Sequence, residues 1–219
     1  MAPMYFDDRS DAARQLADAL RKYHGRNPLV LAIPRGAVPM GCIVADALEG
    51  DFDVVLVRKL QAPSSGELAV GSVDESGWTY VADFARDMGV DDEYLEEEKR
   101  VQLDVLKRRR ALYTPWRRPL DPSGRIAIVI DDGLATGATM IAALHAVRSR
   151  HPATLVCAVP VASGESLVRI ASLADDIVCL ETPVGFHSVG QFYHAFDPVS
   201  DDTVTRMLRE REPAATSSR

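Results

Sequence analysis

Two adjacent acids and a loop of small residues form the stretch best suited to chemistry. Asp131 and Asp132 follow the apolar, β-branched run Ile126–Ile130, which predicts a buried strand. Residues 133–141 are rich in Gly, Ala and Thr, and apolar positions at helical spacing resume at Ile141. The sequence therefore predicts a strand, an acidic pair, a tight loop and a helix, in that order.

The loop at the start of this helix is suited to bind phosphate. Backbone N–H groups at a helix N-terminus have no intrahelical acceptor and lie at the positive end of the helix dipole. Gly133 and Gly137 allow close backbone approach, and Thr136 and Thr139 add hydroxyl groups. The two acids repel phosphate but accept hydrogen bonds from sugar hydroxyls or bind a hard cation such as Mg²⁺. A site with these two ends suits a phosphorylated ribose.

The segment D-D-G-L-A-T-G-A-T resembles the phosphoribosyl-diphosphate (PRPP) signature of the type I phosphoribosyltransferases. Two other phosphate-binding motifs do not fit, because no lysine follows Gly137 as in a Walker A loop and no G-x-G-x-x-G follows the strand. An ordinary strand-to-helix connection is the alternative, but nothing structural asks for this residue order. The resemblance implies an α/β fold: a parallel sheet with helices on both faces, a β-hairpin flap and a small C-terminal hood.

The resemblance also implies a reaction, in which the 5-phosphoribosyl group passes from PRPP to a nitrogenous base and pyrophosphate is released. Asp131 and Asp132 would bind the ribose hydroxyls, and they are the expected Mg²⁺ ligands, largely through PRPP and water. The 5′-phosphate would bind the loop residues Ala135, Thr136, Gly137, Ala138 and Thr139.

A second strand-to-helix loop lies upstream. Residues 29–33 predict an apolar strand, residues 34–39 read P-R-G-A-V-P, and helical spacing follows. Arg35 adds a positive charge to this second anion-ready loop. In the family that the chain resembles, this loop binds pyrophosphate and often holds a cis peptide, so Arg35 and Gly36 are the expected pyrophosphate residues. A simple turn with a surface arginine is the alternative.

The next strand is predicted at residues 54–57, directly before Arg58 and Lys59. Two cations at a strand end are costly unless they meet anions, so both are candidate catalytic residues. Asp132 and Glu67 are candidates for the general base.

A flap is predicted after these cations. Residues 60–66 indicate a mobile loop, and residues 68–73 and 78–81 indicate a hairpin. In the family, such a flap closes over PRPP and excludes water. Adenine-type members carry an acid before an aromatic–glycine pair, whereas Ala69 and Val70 precede Gly71 here, so the acceptor base stays open.

Several basic residues are interpreted as solvated helix ends. A long helix is predicted at residues 91–112, with an i,i+4 pair between Glu96 and Arg100. The arginines at 108–110 suit the negative end of its dipole better than a phosphate site. Arg9 could reach a phosphate, but it is assigned to the solvated start of an N-terminal helix.

Strand and helix patterns alternate again beyond the signature, with strands at 154–161 and 177–180 and a helix at 164–173. The Gly-punctuated segment that follows carries the candidate base-binding residues Phe186, His187, Phe192 and Tyr193. A small satellite core is the equal alternative, because buried aromatic residues are usually packing residues.

Composition fits one cytoplasmic domain. The predicted domain spans residues 1–212, with a core at about 28–181, a hood at about 182–200 plus the N-terminal segment, and a disordered tail at 213–219. A net charge of −7 disfavours nucleic acid as a partner, and no apolar run is long enough to span a membrane. Three isolated cysteines suggest reduced core residues.

The family resemblance implies a homodimer that binds PRPP and a small-molecule base. Two other functions stay open: a regulator that senses PRPP without turnover, and a relative that hydrolyses PRPP with water as the acceptor. The net negative charge weighs against nucleic-acid control, and Arg58 and Lys59 favour turnover.

Overall fold

A five-stranded parallel sheet, with strand order β2-β1-β6-β7-β8, forms the centre of the computed structural model, which describes residues 6–63, 65–116 and 118–211. The side chains of residues 65–68 are also outside that description. In chain order the elements are α1 (Arg9–Ala19), β1 (Leu29–Ala32), α2 (Ala37–Leu48), β2 (Asp51–Val54), β3 (Val57–Ala62), β4 (Ser65–Asp74), β5 (Thr79–Val81), α3 (Asp92–Tyr113), β6 (Ile126–Ile130), α4 (Ala138–Arg148), β7 (Thr154–Val161), α5 (Gly164–Ile170), β8 (Asp176–Glu181) and α6 (Asp201–Glu210).

Successive side chains of β6 pack alternately into two hydrophobic cores, one on each face of the sheet. Ile126, Ile128 and Ile130 pack with residues of α1 and α2, whereas Ala127 and Val129 pack with residues of α4. Successive strand side chains point to opposite faces, so a strand buried on both faces is apolar throughout. The predicted α/β class with helices on both faces is therefore confirmed.

The flap is a three-stranded antiparallel sheet, β3-β4-β5, which packs against α3 and α4. The strand predicted at residues 54–57 is wrong, because β2 ends at Val54 and β3 begins at Val57. One apolar run therefore supplies the end of one strand and the start of another. Arg58 and Lys59 consequently lie inside β3 and not at the end of a parallel strand, and most of the loop predicted at 60–66 is strand.

Two interpretations of α3 also need correction. Arg100 pairs with Glu97, three residues away, and Lys99 pairs with Glu96, so the predicted Glu96–Arg100 pair does not form. Arg110 is not a solvated helix end: its side chain is 17% exposed and its Nε and Nη2 donate to Glu75 at 2.9 and 2.6 Å. The flap turn that carries Glu75 is what buries it.

The N-terminal segment and the hood pack together. Phe6 N–H donates to the Phe192 carbonyl at 2.8 Å, and His194 N–H donates to the Phe6 carbonyl at 2.9 Å. Ser200 caps α6 by accepting from Thr203 N–H. The tail predicted at 213–219 lies outside the described residues. Within the described ranges, no helix is both long and apolar enough to cross a lipid bilayer.

Candidate functional site

A cleft of about 270 Å³ lies at the carboxyl ends of β1 and β6, the position where parallel sheets usually bind ligands. It brings together most of the residues that the sequence singles out: Arg35, Gly36, Lys59, Asp131, Asp132, Ala135, Thr136, Gly137, Ala138 and Thr139. Two sequence-distant loops and one flap strand therefore meet in one site.

The loop before α4 has the geometry of an anion cradle. Gly137 adopts the left-handed conformation (φ 77°) directly before Ala138, which lets the chain turn sharply from the loop into the helix. The first N–H groups of α4 have no intrahelical acceptors and face the end of the dipole that favours anions. The loop is held from behind, since Ser163 N–H donates to the Leu134 carbonyl at 3.0 Å and Ser163 Oγ donates to the Ala135 carbonyl at 2.9 Å.

The acidic pair lies at the other end of the cleft. Asp132 N–H donates to Asp131 Oδ1 at 2.9 Å, which fixes one carboxylate against the backbone of the other residue. Burial and the neighbouring Asp132 charge raise the pKa of Asp131 well above its ordinary value. Burial also raises the pKa of Asp132, although Arg9 opposes that shift. Two crowded carboxylates of this kind favour a partner that supplies hydroxyl donors or positive charge.

Arg9 is the functional neighbour that the sequence analysis missed. Its Nε and Nη2 donate to Asp132 Oδ2 at 3.0 and 2.8 Å, and its Nη1 donates to the Asp197 carbonyl at 2.8 Å. The guanidinium carbon also lies 3.7 Å from the centre of the Phe196 ring. Arg9 is therefore no solvated helix residue, and because 123 residues separate it from Asp132, no local pattern could have revealed the pair.

The upstream loop touches the acidic pair. The peptide bond between Pro34 and Arg35 is cis, and Gly36 lies directly before α2. A Cβ atom on Gly36 would lie 2.2 Å from Asp132 Oδ2, so a larger residue here would displace the Asp132 carboxylate or the loop. The Arg35 side chain is 42% exposed, and its Nη1 lies 3.4 Å from Asp201 Oδ2. Much of its guanidinium is therefore open to water.

The two flap cations have different surroundings. Lys59 is exposed and lines the cleft, and its charge favours the ionised form of Asp131. Arg58 instead donates from Nε to Gln102 Oε1 on α3 at 2.9 Å, and burial lowers its pKa. Adjacent strand residues point to opposite faces, so only one cation of the pair can enter the cleft. The side chain of Glu67 lies outside the described residues.

The hood residues chosen for base stacking do not line the cleft within the described chain. Phe192 and Tyr193 are buried, and Tyr193 donates from its hydroxyl to the Asp132 carbonyl at 2.7 Å. Phe186 packs on Phe192 with ring centres 5.1 Å apart, and His187 is exposed. The structure therefore places Phe192 and Tyr193 in the alternative, a small core, and the hood residue that lines the cleft is Val189.

The donor set fits Mg²⁺ carried in with a substrate. Asp131 and Asp132 offer hard carboxylate oxygens, but the described residues contain no cluster of three or more His, Cys, Asp or Glu that could hold a metal. Mg²⁺ is usually bound by one or two carboxylates together with substrate phosphates and water, not by a cage of protein ligands.

Comparisons with known proteins agree with this geometry. A protein of Mycobacterium tuberculosis, found in strains CDC 1551 and H37Rv and named provisionally as a phosphoribosyl transferase, is 41% identical over 204 residues. The match covers 93% of this chain but 46% of that protein, so the chain spans about half the length of this curated relative. The crystal structure of TT1426 from Thermus thermophilus has 41% identity and a TM-score of 0.80, covering 95% of this chain and 99% of that one.

A family model agrees with both relatives. The model described as the phosphoribosyl transferase domain matches residues 6–196, which include both loops of the cleft, the flap and most of the hood. The chain therefore belongs to the phosphoribosyl transferase domain family.

Proposed function

We propose that the chain is a magnesium-dependent phosphoribosyltransferase that moves the 5-phosphoribosyl group from PRPP to a nitrogen atom of a base and releases pyrophosphate. The observation that carries this proposal is the cleft itself. A helix N-terminus, a pair of partly buried acids and a cationic loop surround one cavity of about 270 Å³. These groups match the 5′-phosphate, the ribose hydroxyls and the pyrophosphate of PRPP.

Binding would use the groups as their chemistry suggests. The loop from Ala135 to Thr139 would hold the 5′-phosphate through its N–H groups and the two threonine hydroxyls. The carboxylates of Asp131 and Asp132 would accept hydrogen bonds from the ribose hydroxyls, and they would hold Mg²⁺ largely through PRPP and water. Arg9 positions Asp132 for this role because it fixes Oδ2 and leaves Oδ1 to the ligand.

In the reaction, the bond from the anomeric carbon to pyrophosphate breaks and a bond to the base nitrogen forms. Positive charge develops on the sugar and negative charge on the leaving group. Arg35, the Gly36 backbone and Lys59 would stabilise the departing pyrophosphate, and bound Mg²⁺ would supply further positive charge to its oxygens. Arg58 lies against α3, so we assign it to the support of the flap.

The acceptor side is the more open part of the proposal. Asp132 and Glu67 stay the candidates for the base that removes the nitrogen proton. Among the hood residues, the exposed His187 and the half-buried Phe186 stay candidates for contact with the acceptor, together with Val189. We also propose a cytoplasmic homodimer, which light scattering of the purified chain would test.

The decisive experiment is a screen for pyrophosphate release from PRPP and Mg²⁺ with a panel of purine and pyrimidine bases. We expect release that depends on one base or a small group of bases. Binding of PRPP without release for any base would favour a sensing regulator. Equal release with and without a base would favour hydrolysis.

A further inference from the structure

A buried hydroxyl group joins the flap to the start of α4. Ser72 of β4 is 0% exposed, and its Oγ donates to the Ala138 carbonyl at 2.7 Å. Ala138 is the first residue of α4 and also lines the cleft. Among the described residues, no other hydrogen bond connects the flap strands to α4 or to the loop that precedes it. One hydrogen bond therefore holds the flap next to that loop.

Ser72 lies in the middle of a row of three residues that crosses the flap. It pairs directly with Lys59 of β3 on one side and with Tyr80 of β5 on the other. Side chains at directly opposed positions lie on the same face, with Cβ atoms roughly 5 Å apart. Tyr80 packs against the hydrophobic cluster that contains Met140 and Ile141 of α4. Lys59, at the other end of the row, is exposed and lines the cleft.

The reach of the Lys59 charge depends on where β3 lies. A lysine carries its charge on a flexible four-carbon stem. Within the described chain, no hydrogen bond or ion pair fixes its ammonium group. The backbone of β3 therefore sets which part of the cleft the charge can reach, and β3 is paired to the strand that Ser72 ties to α4.

Packing alone does not require a serine at position 72. The cluster beside this row is apolar. Burial of a hydroxyl group costs free energy unless the group is hydrogen-bonded, and an alanine would avoid that cost. What serine adds at this position is the bond to Ala138.

We propose that Ser72 is a positioning residue for the reaction. Its bond to the Ala138 carbonyl sets the distance between Lys59 and the loop that precedes α4. The Lys59 charge is thereby placed on the departing pyrophosphate while that loop holds the 5′-phosphate of the same substrate. This inference deepens the proposed function and rests on it.

The test is a double-mutant cycle between Ser72→Ala and Lys59→Ala in the full chain. Two quantities are measured: kcat/KM for PRPP with the base that the screen identifies, and the affinity for pyrophosphate with Mg²⁺ by calorimetry. In the wild-type background, Ser72→Ala should lower both by about 5-fold, the fold-change that corresponds to one neutral hydrogen bond. In the Lys59→Ala background it should change both by less than about 2-fold, because the charge that it positions is absent.

Additive losses, or wild-type values for Ser72→Ala, would overturn the inference, since a serine that only supports the fold acts equally with and without Lys59. Ser149→Ala is the matched control and should change neither quantity. Its Oγ donates to the Ala146 carbonyl at 2.9 Å, at the end of α4 far from the cleft. Circular dichroism checks the fold of each variant. If Ser72→Ala does not fold, the same cycle with Ser72→Cys, which keeps a weak donor, decides between coupled and additive losses.

The two proposals fail in different ways. Coupled losses of pyrophosphate affinity in a chain that releases no pyrophosphate from PRPP with any base would refute the proposed function and leave the role of Ser72 standing. Base-dependent release with additive losses would refute the role of Ser72 alone. A chain that binds neither PRPP nor pyrophosphate would refute both.

Discussion

The two loops that meet in the cleft have the same place in the order of elements and opposite charges. Each follows a central strand, β1 or β6, and each opens a helix close to a glycine. The β1–α2 loop carries Arg35 at the surface, 42% exposed. The β6–α4 loop carries two carboxylates whose burial raises their pKa values. The cationic loop is therefore open to solvent and can bind a polyanion there. The acidic loop needs a ligand that supplies hydroxyl groups or a cation.

The two loops also depend on each other, because they are in direct contact at a glycine. Gly36 from the cationic loop lies against Asp132 from the acidic loop, and Arg9 closes the contact from the N-terminal helix. Substitutions at the acids, at the contact and at the cations should therefore affect the two loops differently, in decreasing order of effect.

The largest effect is expected from Asp131→Asn combined with Asp132→Asn. Removal of both charges should weaken PRPP binding at least about 100-fold, because hydrogen bonds to charged groups contribute about 1.5–3 kcal/mol each. Calorimetry with PRPP and Mg²⁺ measures the loss. Asp197→Asn changes an exposed acid close to Arg9 and should bind like the wild type. A double variant with unchanged affinity would contradict the role assigned to the acids.

The contact between the loops is tested by Gly36→Ala. The added Cβ would lie 2.2 Å from Asp132 Oδ2, so the Asp132 carboxylate has to leave its position beside Arg9 or one loop has to move. Misplacement of about 1 Å at a site can reduce a rate on the order of 100-fold, and kcat/KM for PRPP should fall to that extent. Gly164→Ala is the control, because its Cβ would meet nothing closer than 3.8 Å. Equal kinetics for both variants would show that the loops are not coupled.

Residues that are neighbours in sequence were predictable. The strands at 126–130 and 154–161 were predicted at their observed bounds, since each is a continuous apolar run with clear ends. The acidic pair, the loop at residues 135–139 and the Arg35–Gly36 loop lie in the cleft because each follows a parallel strand, and such strand ends meet at one edge of the sheet.

Contacts between distant residues were not predictable. Arg9 and Asp132 form a pair across 123 positions, and Arg110 and Glu75 across 35. The bounds of β2 and β3 were missed for a related reason. Hydrophobic periodicity does not show where an apolar run stops pairing with one strand and starts pairing with another. Register with β1 ends β2 at Val54, and pairing with β4 starts β3 at Val57.

A smaller effect is expected at the cations of the flap. Lys59→Ala removes a charge from the cleft and should lower kcat/KM for PRPP by about 10-fold, the equivalent of one charged hydrogen bond. Arg58→Ala is the matched change on the adjacent residue, whose guanidinium bonds to Gln102, and should change kcat/KM by less than about 3-fold. A larger loss for Arg58→Ala than for Lys59→Ala would mean that Arg58, and not Lys59, acts in the cleft.

The smallest effect concerns stability, and it follows from the raised pKa of Asp131. In the folded state this carboxyl binds its proton more tightly than in the unfolded chain, where the pKa is about 3.9. Between these two pKa values the folded protein holds more protons, so stability falls as pH rises through that window and stays lower above it. Without ligand, ionisation of Asp131 therefore costs folding stability as pH rises.

Asp131→Asn should reverse this loss while it weakens PRPP binding. The melting temperature of the variant, measured without ligand from about pH 4 to about pH 7, should rise relative to the wild type as pH increases, by about 2–4 °C for each kcal/mol regained. Asp197→Asn should follow the wild-type curve throughout. A difference that stays constant or shrinks with pH would mean that Asp131 is not strained by burial. The strain at the acidic loop would then no longer distinguish it from the cationic loop.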